Sequence, residues 1–190
     1  VSVNWATADG TATAPSDYTA ASGALNFAAG ETTKTLTVVV QGDTLDEADE
    51  TFAVNLSGAV NATIADSQGV GTITDDDAAP SLAITNVTVT EGNSGTVNAV
   101  FTASLSAASG LPVSVTWATA DGTASAPSDY TVASGALNFA AGETSQTVTV
   151  VVKGDTLDEA DETFVVNLSG AVNATIADNQ GVGTITDDDG

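Results

Sequence analysis

Along most of the chain apolar and polar residues alternate with a period of two. Val113-Ser114-Val115-Thr116-Trp117 and Thr147-Val148-Thr149-Val150-Val151 show the pattern. It suits strands with one buried face, because successive side chains of a strand point to opposite sides of the sheet. Thr, Val, Ala and Gly dominate these stretches, and turn-forming groups (Asp-Gly, Ala-Pro-Ser-Asp, Ala-Gly-Glu-Thr) interrupt them about every 8–12 residues. Within residues 79–190 the pattern predicts seven strands: A over 82–90, B over 96–105, C over 113–119, D near 130–138, E over 144–152, F over 162–168 and G over 181–187. The Asp-Glu-Ala-Asp-Glu run within residues 157–163 has some helical character, but it joins two clear strands and is read as a loop. Seven short strands in about 110 residues are the mark of an immunoglobulin-like sandwich.

The pattern also repeats. Residues 1–77 recur at 113–189, an offset of 112, and over 78 aligned positions only ten differ. Such similarity is the habit of tandem arrays. Residues 79–112 have no counterpart before Val1, so the first copy is expected to lack strands A and B, and the chain reads as a window cut from a longer array. The expected architecture is all-β: tandem immunoglobulin-like β-sandwiches with seven strands per unit. Residues 1–78 form a repeat without its first two strands, and residues 79–190 a complete one.

Composition narrows the chemistry. The 190 residues carry 25 acidic side chains against two basic ones, Lys34 and Lys153, for a formal net charge of -23, yet 42% of residues are hydrophobic. That apolar content separates the chain from disordered acidic tails. With no Arg and two Lys there is no basic footprint for nucleic acid or anionic lipid. With neither His nor Cys, zinc sites, Cys–His nucleophiles, the Ser-His-Asp triad, haem and iron–sulfur clusters drop out. No apolar run approaches the roughly 20 residues of a membrane span. A small cation is the partner this composition favours.

Placed on the predicted strands, the acids are polarised. The A–B, C–D and E–F connections and the end of G share one pole of a sandwich. In residues 79–190 that pole holds eleven of thirteen acids, and only Glu143 and Asp178 lie at the other. Like charges massed at one end destabilise the fold unless cations neutralise them. The available ligands are all oxygens, and a flexible multi-carboxylate cage suits Ca²⁺ better than Mg²⁺. The spacing is not that of an EF-hand, since the ligands come from four separate loops.

The succession DGTA…SDY, L.F..GET, D….E.DE.F.V.L and GTI.DDD closely resembles the Calx-beta family, immunoglobulin-like modules of sodium–calcium exchangers and large bacterial surface proteins. The resemblance spans residues 82–189 and the five later strands of the first copy. It implies Ca²⁺ bound by Glu91, Asp129, Asp155, the Leu157 carbonyl, Glu159, Glu162, Asp187, Asp188 and Asp189. In the first copy the implied ligands are Asp17, Asp43, the Leu45 carbonyl, Glu47, Glu50, Asp75, Asp76 and Asp77, with no A–B glutamate. Where some members place consecutive acids before the E–F loop, this chain has Gly154-Asp155 and Gly42-Asp43, a departure that implies fewer ions or weaker binding.

Other groups are read as structural. Asp121 is a turn former, Asp158 and Asp161 face solvent or cap their loop, and Trp5, Trp117, Tyr18, Tyr130, Phe52 and Phe164 belong to the core. A glycosidase would need a substrate cleft beside its paired carboxylates, for which 5% aromatics offer little. The Asn-X-Ser/Thr triplets are those expected by chance. The expected role is therefore non-catalytic: a Ca²⁺-rigidified repeat of a secreted or surface-attached stalk, adhesin or matrix filament, in contact with neighbouring repeats. The alternatives are a Ca²⁺-sensing regulatory module, or a strand-exchanging subunit of an extracellular homopolymer.

Overall fold

Thirteen strands and no helix form in the computed structural model, which describes residues 1–190. The chain divides into Val1–Asp77 and Ala78–Gly190. The second unit contains β5 (Ser81–Ile84), β6 (Val87–Thr90), β7 (Gly95–Leu105), β8 (Val113–Asp121), β9 (Ser134–Phe139), β10 (Ser145–Gly154), β11 (Glu162–Val172), β12 (Thr175–Ile176) and β13 (Gln180–Thr186). They make two sheets, in the orders β10-β7-β5-β12 and β6-β13-β11-β8-β9.

Two predicted strands are divided between the sheets. Strand A breaks at Thr85 and Asn86, so that β5 runs antiparallel to β7 while β6 runs parallel to β13. The break is held by side chains: Thr85 Oγ1 accepts the Thr102 amide at 3.0 Å, and Asn86 Oδ1 accepts the Val182 amide at 2.8 Å. Strand D divides likewise. Tyr130 bridges to Val152 in one sheet before β9 pairs with β8 in the other. A periodic pattern shows which side chains point inward, but not which neighbour takes up the backbone hydrogen bonds.

Between the sheets lies one apolar core. Ala99, Phe101 and Ala103 of β7 and Val148, Val150 and Val152 of β10 meet Val113, Val115, Phe164, Val166, Leu168 and Ile185 of the facing sheet. The Tyr130 ring stacks on Phe164 at 4.7 Å, and Phe101 meets Phe164 edge-on at 5.9 Å. Burying each such side chain stabilises the fold by roughly 1.5–3 kcal/mol. Trp117 packs at the rim of this core, only partly buried, with its indole over Gly135.

The first unit is one sheet, β2-β1-β3-β4, made of β1 (Ser2–Asp9), β2 (Ser22–Asn26), β3 (Glu50–Val60) and β4 (Gln68–Ile73). Its register copies that of the second unit: Trp5 faces Leu56 as Trp117 faces Leu168, and Phe52 faces Gly71 as Phe164 faces Gly183. Strand E does not reappear. Residues 32–39, the match of most of β10, form no ladder, and only Val40 makes a bridge, to Tyr18. In the second unit β10 pairs with β7, and the first unit has no counterpart of β7, so the ladder bonds have no acceptor. The core suffers accordingly. Val40 is 47% exposed where Val152 is 0%, Val1 is 53% exposed where Val113 is 1%, and Ala12, Tyr18 and Phe52 are the buried apolar residues left.

Amide exchange should therefore be fast over residues 33–40 and slow over 145–152. Phe164→Ala should cost roughly 3–5 kcal/mol in chemical denaturation of the second unit. Phe52→Ala should cost the first unit clearly less, because it stacks on Tyr18 but has no counterpart of the Phe101 ring that meets Phe164 edge-on; equal losses would contradict the open core.

Candidate metal centre

Sheet register assembles the acidic pole. β6 and β13 run parallel with Val89 opposite Ile185 and Thr90 opposite Thr186, so Glu91 and Asp187 leave the sheet side by side. The Glu91 amide donates to the Thr186 carbonyl at 3.3 Å, and the Thr90 and Thr186 hydroxyls meet at 2.9 Å. The next residues tie the two termini together: Gly92 N donates to Asp188 Oδ1 at 3.0 Å, and Asn93 Nδ2 donates to Asp189 Oδ1. Gly92 sits at φ +76°, where a side chain would be strained. From the E–F loop, Asp161 Oδ1 accepts the Asp187 amide at 3.3 Å, and Asp155 Oδ1 accepts the Leu157 amide at 2.8 Å. From the C–D turn, Asp129 Oδ2 accepts the Ser125 amide at 2.7 Å, which aims its carboxylate at the loop of Glu159 and Glu162.

Two triads of carboxylates result, Glu91 with Asp187 and Asp189, and Asp129 with Glu159 and Glu162; within each, one oxygen per residue lies within 4.8 Å of the others. Asp155 stands close enough for its charge to act on both Glu91 and Glu159. Asp188 is turned to the Gly92 amide, and Leu157 enters through its amide, its side chain 61% exposed. Asp121 lies outside the triads: its Oδ1 accepts the Ala126 amide at 3.1 Å and the Tyr130 hydroxyl at 2.5 Å. Asp161 caps a loop. The sequence reading missed Gly92 and Asn93; the only signal was the Glu-Gly-Asn-Ser-Gly run itself. It also left unexplained the glycine in Gly154-Asp155. A Cβ at 154 would lie 1.9 Å from the Gly92 carbonyl oxygen, so no acid fits there.

The electrostatics are those of crowded like charges. Glu91 is buried, and its pKa is pushed up to about 7, by desolvation first and then by Asp155, Asp187, Glu159 and Asp189. Burial also raises Glu162, with Asp129 and Glu159 adding to it, and raises Glu159, with Asp155, Asp129 and Asp187 adding. Burial pushes Asp129 upward too, but the Ser125 amide and neighbouring hydrogen bonds outweigh it and hold the group below its ordinary value. Asp187 Oδ1 and Asp189 Oδ2 are buried without any hydrogen-bond partner. A buried carboxylate oxygen without a partner is costly. An oxygen-only set with such orphans fits a hard divalent cation such as Ca²⁺.

The first unit keeps half of this. Asp17, Glu47 and Glu50 form the triad matching Asp129, Glu159 and Glu162. A cavity there is also lined by Asp43, Leu45, Asp75, Asp76 and Asp77. Asp43 Oδ1 accepts the Leu45 amide at 2.8 Å, and Asp49 Oδ1 accepts the Asp75 amide at 3.0 Å. The counterpart of the Glu91 triad is absent, since no glutamate stands beside Asp75 and Asp77.

The family profile of the Calx-beta domain matches residues 1–77 and again 74–189. No curated protein sequence matches the chain. Among solved structures, the apo form of the Calx CBD1 domain is 25% identical, with a TM-score of 0.50, over 58% of this chain and 98% of that one. The CBD12 pair from CALX1.2 is 21% identical, with a TM-score of 0.51, over 97% of this chain and 86% of that one. The Calx CBD2 domain is 15% identical, with a TM-score of 0.50, over 55% and 85%. The last two likenesses speak for the fold.

A pH dependence follows from Glu91. Its folded pKa of about 7 lies above the ordinary 4.5, so between those values the folded unit holds more protons than the unfolded chain, and stability falls as pH rises. In EDTA the second unit should melt several degrees lower at pH 8 than at pH 5, and Glu91→Gln should flatten the difference. A melting temperature that rises from pH 5 to pH 8 would contradict this account.

Proposed function

The chain belongs to the Calx-beta domain family, and from that premise we propose that it is a Ca²⁺-binding structural repeat of an extracellular or cell-surface stalk, adhesin or matrix filament, with no catalytic role. The observation that carries the metal assignment is the meeting of four chain segments at one pole with two buried carboxylate oxygens left unpartnered. Glu91, Asp129, Asp155, Glu159, Glu162, Asp187 and Asp189 are the side chains that would hold the cation, with Asp188 and Asn93 fixing the terminal carboxylates. In the first unit Asp17, Asp43, Glu47, Glu50, Asp75, Asp76 and Asp77 take the same part. Bound Ca²⁺ supplies positive charge that offsets the mutual repulsion of these groups.

What the residues do with it follows from where they stand in the chain. Asp75, Asp76 and Asp77 are followed by only Ala78, Ala79 and Pro80 before β5 begins. Carboxylates drawn to a common cation fix the last turn before this short linker, and restrict the linker with it. Near-identical copies favour a repeated mechanical element over a graded sensor, in which modules tuned to different Ca²⁺ levels would be expected to diverge.

Small-angle scattering should show a more extended, narrower distribution of dimensions with Ca²⁺ than with EDTA, and identical profiles would overturn the stiffening. Ca²⁺ should also raise the melting temperature of the second unit. The double change Asp187→Asn with Asp189→Asn should remove most of that rise, and an undiminished rise would move the ion elsewhere.

A further inference from the structure

The segment Asp-Gly-Thr-Ala occurs in both units, at 9–12 and at 121–124, and supplies no carboxylate to any triad. In the second unit it ends β8 and opens the C–D turn that carries Asp129. Its residues are tied down closely. Asp121 Oδ1 accepts the Ala126 amide at 3.1 Å and the Tyr130 hydroxyl at 2.5 Å, so one atom spans the turn. Thr123 Oγ1 accepts the Thr163 amide at 2.7 Å, and the Ala124 amide donates to the Thr163 carbonyl at 2.9 Å. A Cβ at Gly122 would lie 2.3 Å from that same carbonyl oxygen, so β11 passes at a distance that only glycine allows.

These bonds act on two members of the Asp129 triad. Asp129 directly precedes Tyr130, and Glu162 directly precedes Thr163. The Tyr130 ring stacks on Phe164, one residue past Thr163. Asp129 and Glu162 therefore stand on the two stretches of chain that residues 121–124 clasp together. The first unit repeats the clasp, although it lacks β7, the E ladder and the Glu91 triad. Asp9 Oδ1 accepts the Ala14 amide at 3.0 Å and the Tyr18 hydroxyl at 2.6 Å, and Thr11 Oγ1 accepts the Thr51 amide at 2.8 Å. Tyr18 stacks on Phe52, and Asp17, Glu47 and Glu50 still meet. The geometry of this triad is thus set locally, without closure of the sandwich.

We propose that Asp121 is a positioning residue for the cation: it fixes the C–D turn on Tyr130 so that Asp129 faces Glu159 and Glu162 before any cation arrives, and Asp9 does the same for Asp17. The role rests on the Ca²⁺-binding function proposed above. Both donors fall on one oxygen of Asp121, so its part is to hold the turn. A carboxylate aimed in advance binds without the cost of ordering its loop.

The test titrates the full chain with CaCl2 by calorimetry and follows single-residue amide exchange in EDTA by NMR. Asp9→Ala with Asp121→Ala should weaken Ca²⁺ binding about tenfold. In EDTA the same pair should speed exchange of the Thr13 and Ser125 amides, which Asp17 and Asp129 hold, about tenfold. Asp9→Asn with Asp121→Asn removes the same charge but keeps a carbonyl oxygen for both donors, and should bind within about twofold of the parent. Tyr18→Phe with Tyr130→Phe keeps every charge and ring stack while removing one donor from each clasp. It should weaken binding about threefold, and it carries the same test should the Ala pair fail to fold. Equal weakening by the Ala and Asn pairs would assign the effect to lost charge and overturn the proposal. So would a lower melting temperature in EDTA with an unchanged Kd, the mark of a merely structural bond. A parent chain that takes up no Ca²⁺ overturns the proposed function itself, and the positioning role with it.

Discussion

The main-chain pairing of residues 80–105 with both sheets holds the second unit together. β5 and β7 complete one sheet, β6 closes the edge of the other, and the crossing at Thr85 and Asn86 binds the two through one short stretch of chain. Because β6 runs parallel to β13, its end places Glu91 against Asp187. Core closure and assembly of the acidic pole thus depend on the same pairing. The first unit shows the converse. Sequence and register are nearly the same, yet without this segment one sheet loses its ladder, core valines reach solvent, and one of two carboxylate triads does not form.

At the pole, two physical demands conflict. Sandwich topology brings loops from distant parts of the chain to one end, and packing buries part of what they carry. Carboxylates respond to burial and to one another by resisting ionisation, as Glu91 does most strongly. Backbone amides hold some of the carboxylates in place, Ser125 donating to Asp129, Gly92 to Asp188 and Leu157 to Asp155. Asp187 and Asp189 keep oxygens that no donor reaches. A protein that spends its amides on holding carboxylates in place, while leaving their inward oxygens bare, is preorganised for a cation.

Much of this was legible in the residues. Alternation marked the strands, turn groups marked their limits, and the offset of 112 exposed the repeat. The resemblance to the Calx-beta family rested on motifs such as D….E.DE.F.V.L and GTI.DDD, and the family profile bears it out. Asp121 was read as a turn former, and it holds the Ala126 amide and the Tyr130 hydroxyl. Less legible was anything that depends on a partner. Residues 33–40 have the alternation of a strand and form none, because a strand needs a neighbour as well as a pattern. Strands A and D were read as single elements, yet each changes sheet partway. The two tryptophans, expected in the core, lie only partly buried, each with its indole over the glycine opposite it in the neighbouring strand, Gly23 and Gly135.

The amino-acid sequence by itself determined the class of fold, the repeat, the family and the all-oxygen chemistry, because these follow from residue types and their spacing. Tertiary structure decided which acids share a site, which serve as caps, and which backbone edges remain open. Those outcomes depend on parallel register between segments almost a hundred residues apart, and on where backbone passes too close for a side chain, as at Gly154. Periodicity fixes the direction of a side chain relative to its own strand. Only packing fixes what it meets there.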